Sequence, residues 1–112
     1  MRKGEVWFVD LPEGKGHEQK GERPAVVLGR ANGLTVVVPL TGSTGKATFS
    51  FTLHIEPRPE NGLSKDSIAL VFQIASMDDS RFNSKIGTIT KEQLEAIDKL
   101  ILEMLKIKSQ QK

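Results

Sequence analysis

The sequence predicts a mainly β protein with a C-terminal α-helix, built as a small and mostly antiparallel β-barrel. Three observations predict it. Short runs of β-branched and aromatic residues, separated by Gly, Pro and Asn, fill most of the chain before Thr90. Several of these runs carry the period-two patterning of strands. The one clear helical spacing comes last, after Thr90.

The elements follow in order. Glu5 to Leu11 carries Val6, Trp7, Phe8 and Val9 in succession, which predicts a strand buried on both sides. Pro12, Gly14 and Gly16 break it and open a polar loop to about Glu22. Pro24 starts a second strand, Ala25 to Leu28, and pushes Arg23 into the extended region. Asn32-Gly33 signals a hairpin turn into a third strand, Thr35 to Leu40. Gly42 to Lys46 reads as a flexible loop. Thr48 to Ile55 alternates Phe49, Phe51, Leu53 and Ile55 against polar residues, the pattern of a half-exposed strand. Pro57, Pro59, Asn61 and Gly62 form a loop. Ser67 to Ile74 and Lys85 to Ile89 complete the strands.

Thr90 and Gln93 form a capping box at the helix start, and Ile89 and Leu94 stand at the positions of a hydrophobic staple. Leu94, Ile97, Leu100, Ile101, Met104 and Leu105 make one apolar stripe, with basic residues gathered at the helix end.

The chain has 112 residues, a length for one domain spanning 1–112. It has no Cys, which excludes disulfides, thiolate chemistry and Cys-ligated zinc. No apolar run is long enough to cross a bilayer, and Met1 to Glu5 leads straight into a strand pattern. The expectation is a cytoplasmic protein without membrane contact. Net charge is +2, with a pI near 9.0. Positive charge gathers locally, at Lys15, Lys20 and Arg23, and again at Lys99, Lys106, Lys108 and Lys112.

Residue types suited to chemistry concentrate in His17-Glu18-Gln19-Lys20-Gly21-Glu22-Arg23-Pro24. A solvated charged loop is the ordinary reading. Against it, Gly16 and Gly21 bracket the segment, and Pro24 gives Arg23 a firm base. A guanidinium offers a planar fork that suits phosphate oxygens. Thr41 closes an apolar strand, where its hydroxyl has two readings: a phosphate contact or a local turn bond. Gly42 to Lys46 is not a phosphate loop, because Ala47 follows the Lys and a strand follows in turn. Asp78-Asp79 lacks further metal ligands at useful spacing and reads as a turn. His54 reads as exposed. Phe82 either stacks a base or anchors a loop into the core, the commoner role.

Two blocks then stand out together: Lys3-Gly4-Glu5-Val6-Trp7-Phe8-Val9-Asp10-Leu11, and Gly16-His17-Glu18-Gln19-Lys20-Gly21-Glu22-Arg23-Pro24. With Val38-Pro39-Leu40-Thr41, Asp66-Ser67, Gln73, Asp78 and the last helix, they resemble the MazF/PemK toxin family across nearly the whole chain. The resemblance implies an SH3-like barrel of the PemK/CcdB kind and a homodimer. It implies a metal-independent, sequence-specific endoribonuclease acting on single-stranded RNA, with no cofactor. The products would be a 2′,3′-cyclic phosphate and a 5′-hydroxyl. An antitoxin protein would be its partner, and DNA would be met only through an antitoxin complex. By the same resemblance Arg23 and Thr41 are catalytic, and His17, Glu18, Gln19, Lys20 and Ser43 belong to the substrate site.

The resemblance has two departures. Many members carry an acidic residue before the glutamine matching Gln73 and a basic one two positions after it. Phe72 and Ala75 stand there. They motivate a second reading, a non-catalytic barrel protein: a degenerate toxin, or a CcdB-like toxin that binds gyrase. A plain peptide-binding SH3 module is disfavoured, since its groove needs clustered aromatics and this chain has five Phe, one Trp and no Tyr.

Overall fold

The computed structural model describes residues 1–11 and 22–108. The strands are β1 (Glu5–Asp10), β2 (Glu22–Ala31), β3 (Leu34–Thr41), β4 (Thr52–Ile55), β5 (Ser67–Leu70), β6 (Ala75–Asp78) and β7 (Phe82–Thr88). Helix α1 spans Lys91–Leu105. All strand pairs are antiparallel, in the order β4-β5-β3-β2-β1-β7, with β6 branching from β3. The outer edge of β3 is shared: Leu34–Val37 pairs with β6, and Leu40–Thr41 pairs with β5. A strand that serves two partners makes a corner, so one sheet can turn around a core. The mainly β, barrel-like fold with a C-terminal helix is the one expected.

The central strands are buried on both faces, because residues an odd number apart point opposite ways. Val6, Val26 and Val38 enter the main core with Leu40, Ile55 and Ile97. Val9, Ala25 and Val37 enter a second core with Met77. Trp7 and Phe82 meet edge to face beside that second core, with centroids 6.2 Å apart, so Phe82 is an anchor. Asn32 and Gly33 both have positive φ, 56° and 80°, as the tight hairpin turn requires.

Several expectations need correction, among them the last strand, which starts at Phe82 rather than Lys85. Thr48 to Ile55 is not one strand: pairing begins only at Thr52. Phe51 has φ 60°, and a left-handed residue cannot continue the pleat. Gly42 to Lys46 is not simply loop, since a 3-10 turn covers Thr44–Thr48. The strand from Ser67 ends at Leu70, where a 3-10 turn, Val71–Gln73, takes over. Finally, β6 was not foreseen, because Met77 is its one large apolar residue. Its edge is held by Asp79, whose carboxylate accepts from Arg30 (2.6 Å) and from the Thr35 hydroxyl (2.7 Å).

The helix begins as expected. Thr90 Oγ1 accepts from the Gln93 N–H (3.0 Å), and Gln93 Oε1 accepts from the Thr90 N–H (2.9 Å). Leu94, Ile97, Leu100, Ile101 and Met104 pack on the main core. Leu105 does not, and stays 55% exposed. No basic residue occupies the last turn; Lys106 is instead the left-handed C-cap.

Glu5 ties the start of β1 to β7. The Trp7 indole N–H (2.9 Å) and the Arg2 N–H (3.0 Å) donate to Oε1, and Lys85 Nζ lies 3.2 Å from Oε2. These donors, the indole foremost, lower its pKa from 4.5 to about 2. A depressed carboxylate stabilises the fold fully above its unfolded value, and that contribution is lost as pH falls through the folded one. Unfolding titrations are therefore expected to show stability dropping between pH 4.5 and about 2. Glu5→Gln should lower stability at neutral pH and flatten that drop. An unchanged slope in the variant would remove Glu5 from the account.

Candidate active-site cleft

The cleft opens where the β2–β3 ladder ends. Along β2 and β3 the last paired residues are Ala25 and Pro39. Pro24 and Pro39 stand at this end of the two strands, and a proline has no N–H to give a ladder. Carried two residues further, the same register would set Arg23 opposite Thr41. Instead each is held from its other side: Arg23 pairs with Val9 of β1, and Thr41 with Ile68 of β5. Between them lies a cleft of about 370 Å³ that both residues line.

Thr41 is 6% exposed. Its Oγ1 accepts from the Ser43 N–H at 3.2 Å, so the local turn bond is present. That bond uses an oxygen lone pair and leaves the hydroxyl hydrogen available to a ligand. Ser43 itself is exposed and does not line the cleft; it braces Thr41 through its backbone. His17, Glu18, Gln19 and Lys20 lie outside the described residues.

The opposite wall comes from the segment after β4. Asn61 organises it from within, only 1% exposed. Its Oδ1 accepts from the N–H groups of Arg58 (3.1 Å) and Leu63 (2.9 Å), and its Nδ2 donates to the Glu56 carbonyl (2.9 Å). This turn delivers Leu63, Ser64 and Lys65 to the cleft. Lys65 and the buried Ser67 were not singled out as site residues from sequence. Asp66, next to Lys65 in sequence, lies 3.2 Å from His54 Nε2.

The charged lining, among the described residues, is thus Arg23, Lys65 and one carboxylate, Glu22. Glu22 accepts from Asn83 Nδ2 at 2.7 Å. Two cations, a hydroxyl donor and partly apolar walls favour an anionic ligand. Among the described residues no three His, Asp or Glu side chains gather as metal ligands. Nor is any described helix long and apolar enough to cross a membrane. Phe72 and Ala75 do not line the cleft. Phe72 packs on Phe49, centroids 5.7 Å apart, and Ala75 is exposed on β6.

Residues 2–105 match the family of PemK-like, MazF-like toxins of type II toxin–antitoxin systems, and the chain belongs to that family. It is 30% identical over 106 residues to Endoribonuclease MazF of Staphylococcus saprophyticus, covering 90% of this chain and 88% of that one. Its fold is similar to MazF of Deinococcus radiodurans, with TM-score 0.75, 23% identity, and coverage of 94% and 96% of the two chains. It is also similar to a mycobacterial endoribonuclease in complex with its cognate antitoxin. There the TM-score is 0.72, the identity 18%, and the coverage 96% of each chain.

Proposed function

We propose that this toxin is an endoribonuclease that cuts single-stranded RNA at short sequences without a metal. The observation that carries the reading is the convergence of Arg23 and Thr41 on one cleft. The 2′-hydroxyl attacks the adjacent phosphorus in line. The P–O5′ bond breaks, leaving a 2′,3′-cyclic phosphate and a 5′-hydroxyl. The step needs a fixed geometry, a proton acceptor, a proton donor and stabilisation of phosphate charge. Arg23 supplies charge stabilisation, and Thr41 donates its hydroxyl hydrogen to a phosphate oxygen. A guanidinium stays protonated near neutrality and is a poor acceptor. By residue type His17 and Glu18 are the better proton acceptors. The donor set of the cleft suits phosphate better than a divalent cation, which supports metal independence.

The protein works in the cytoplasm as a homodimer held in check by an antitoxin. Leu102, Leu105 and Ile107 are exposed on and just after α1, apolar surface that such partners would cover. The test is digestion of a long unstructured RNA in excess EDTA, with analysis of the ends. Discrete fragments bearing 5′-hydroxyls and cyclic phosphates are expected. Thr41→Val keeps the shape of the side chain and should slow cutting about a hundredfold, the cost typical of one lost donor to developing charge. Intact RNA after incubation with folded, antitoxin-free protein would favour the binding-only reading, for which Phe72 and Ala75 are the motive.

A further inference from the structure

We propose that Lys65 is a second phosphate-binding cation of the cleft, gripping a backbone phosphate beside the one held by Arg23 and Thr41. The inference rests on the nuclease reading and names how that site holds its substrate.

Three observations carry it. The first is position: Lys65 lines the same cleft as Arg23 and Thr41, although it comes from the far wall. The second is a fitted place for its side chain. A Cβ on Gly42 would stand 2.4 Å from Lys65 Cε and 2.7 Å from Nζ, so the end of the lysine lies against the bare backbone after Thr41. Only glycine leaves that space open. The third is charge. The neighbouring carboxylate, Asp66, lies 3.2 Å from His54, and no acidic group among the described residues forms an ion pair with Lys65. An ammonium in the same cleft as a hydroxyl donor, with no carboxylate ion-paired to it among the described residues, suits an anion. A flexible lysine is suited to a phosphate as a point charge, whereas bidentate shape recognition is the property of arginine. Lys65 therefore holds a non-reacting phosphate and contributes to binding more than to the bond-breaking step.

The test compares wild type with Lys65→Met, Lys65→Arg and Gly42→Ala. Lys65→Met keeps the apolar stem and removes the charge. Gly42→Ala keeps the charge and fills its place; the backbone there is not in the left-handed region, and the displaced group is the end of a flexible chain. For Lys65→Met, KM is expected to rise about tenfold with kcat within about twofold, the scale of one charge-assisted contact. Dependence of log(kcat/KM) on log salt should weaken by about 0.7, the share of one phosphate contact on a single strand. Lys65→Arg should restore both values. Gly42→Ala should raise KM in wild type and add little in the Lys65→Met background. Unchanged KM and salt slope in Lys65→Met would overturn the proposal. So would a fall in kcat alone. The Kd of an uncleavable 2′-O-methyl oligonucleotide, read by fluorescence anisotropy, separates this idea from the nuclease reading. If wild type cuts no RNA yet binds the oligonucleotide, loss of affinity in Lys65→Met still supports the subsite, and equal affinity rejects it.

Discussion

Arg23→Ala is expected to lower kcat/KM for RNA by about a thousandfold or more, roughly 4 kcal/mol of transition-state stabilisation. The size follows from where the charge sits. Phosphoryl chemistry places developing negative charge on oxygens that a guanidinium can meet with two parallel N–H bonds. Loss of the fork removes charge neutralisation and orientation together. Arg23→Lys should recover only part, because an ammonium restores the charge without the fork. Both variants should fold: Arg23 stands near the end of β2, while the buried core residues there begin at Ala25. The measurement is single-turnover cleavage in EDTA, with circular dichroism as a check on folding. Wild-type rates from a folded Arg23→Ala protein would move the chemistry away from this cleft.

Much of this arrangement was legible in the sequence, for identifiable reasons. Asn32-Gly33 forced a turn because few other residue pairs accept two positive φ angles. The capping box of Thr90 and Gln93 is a local device, and local devices survive folding. Arg23 and Thr41 were legible one at a time, as an Arg before a proline and a Thr ending a strand. Their meeting was implied by the resemblance alone, because the strand ends that hold them apart from one another are set by tertiary pairing. Phe49 to Ile55 misled for the opposite reason. Its alternation is real, but Phe51 adopts a left-handed backbone whose carbonyl accepts from the Phe72 N–H, and tertiary pairing overrides the local pattern. Lys65 was hidden because a lone lysine in a polar loop carries no local signal, and only the fold brings it to the cleft.

Gly87→Ala is expected to be strongly destabilising, costing about 3 kcal/mol or more. Added at Gly87, a Cβ would lie 2.3 Å from the Asn61 carbonyl carbon and 2.5 Å from the carbonyl oxygens of Asn61 and Glu60. These are backbone atoms and cannot swing aside. The turn around Asn61 rests directly on β7, and the Thr88 N–H donates to the Glu60 carbonyl at 2.8 Å to hold it there. Relief requires that whole segment to lift. Gly62 repeats the constraint from the other side, where a Cβ would strike the Ile86 carbonyl and φ is +71°. Gly29→Ala supplies the contrast. A Cβ there meets nothing within 4 Å, and its φ is not positive. The same methyl should then cost less than about 0.5 kcal/mol, as at ordinary surface positions. Urea midpoints of the two variants measure the difference. Because the lifted segment also carries Lys65 and Ser64, Gly87→Ala that still folds should bind RNA more weakly than wild type. Equal midpoints for Gly87→Ala and wild type would mean that the wall of the cleft does not rest on β7, and the position assigned to Lys65 would fall with it.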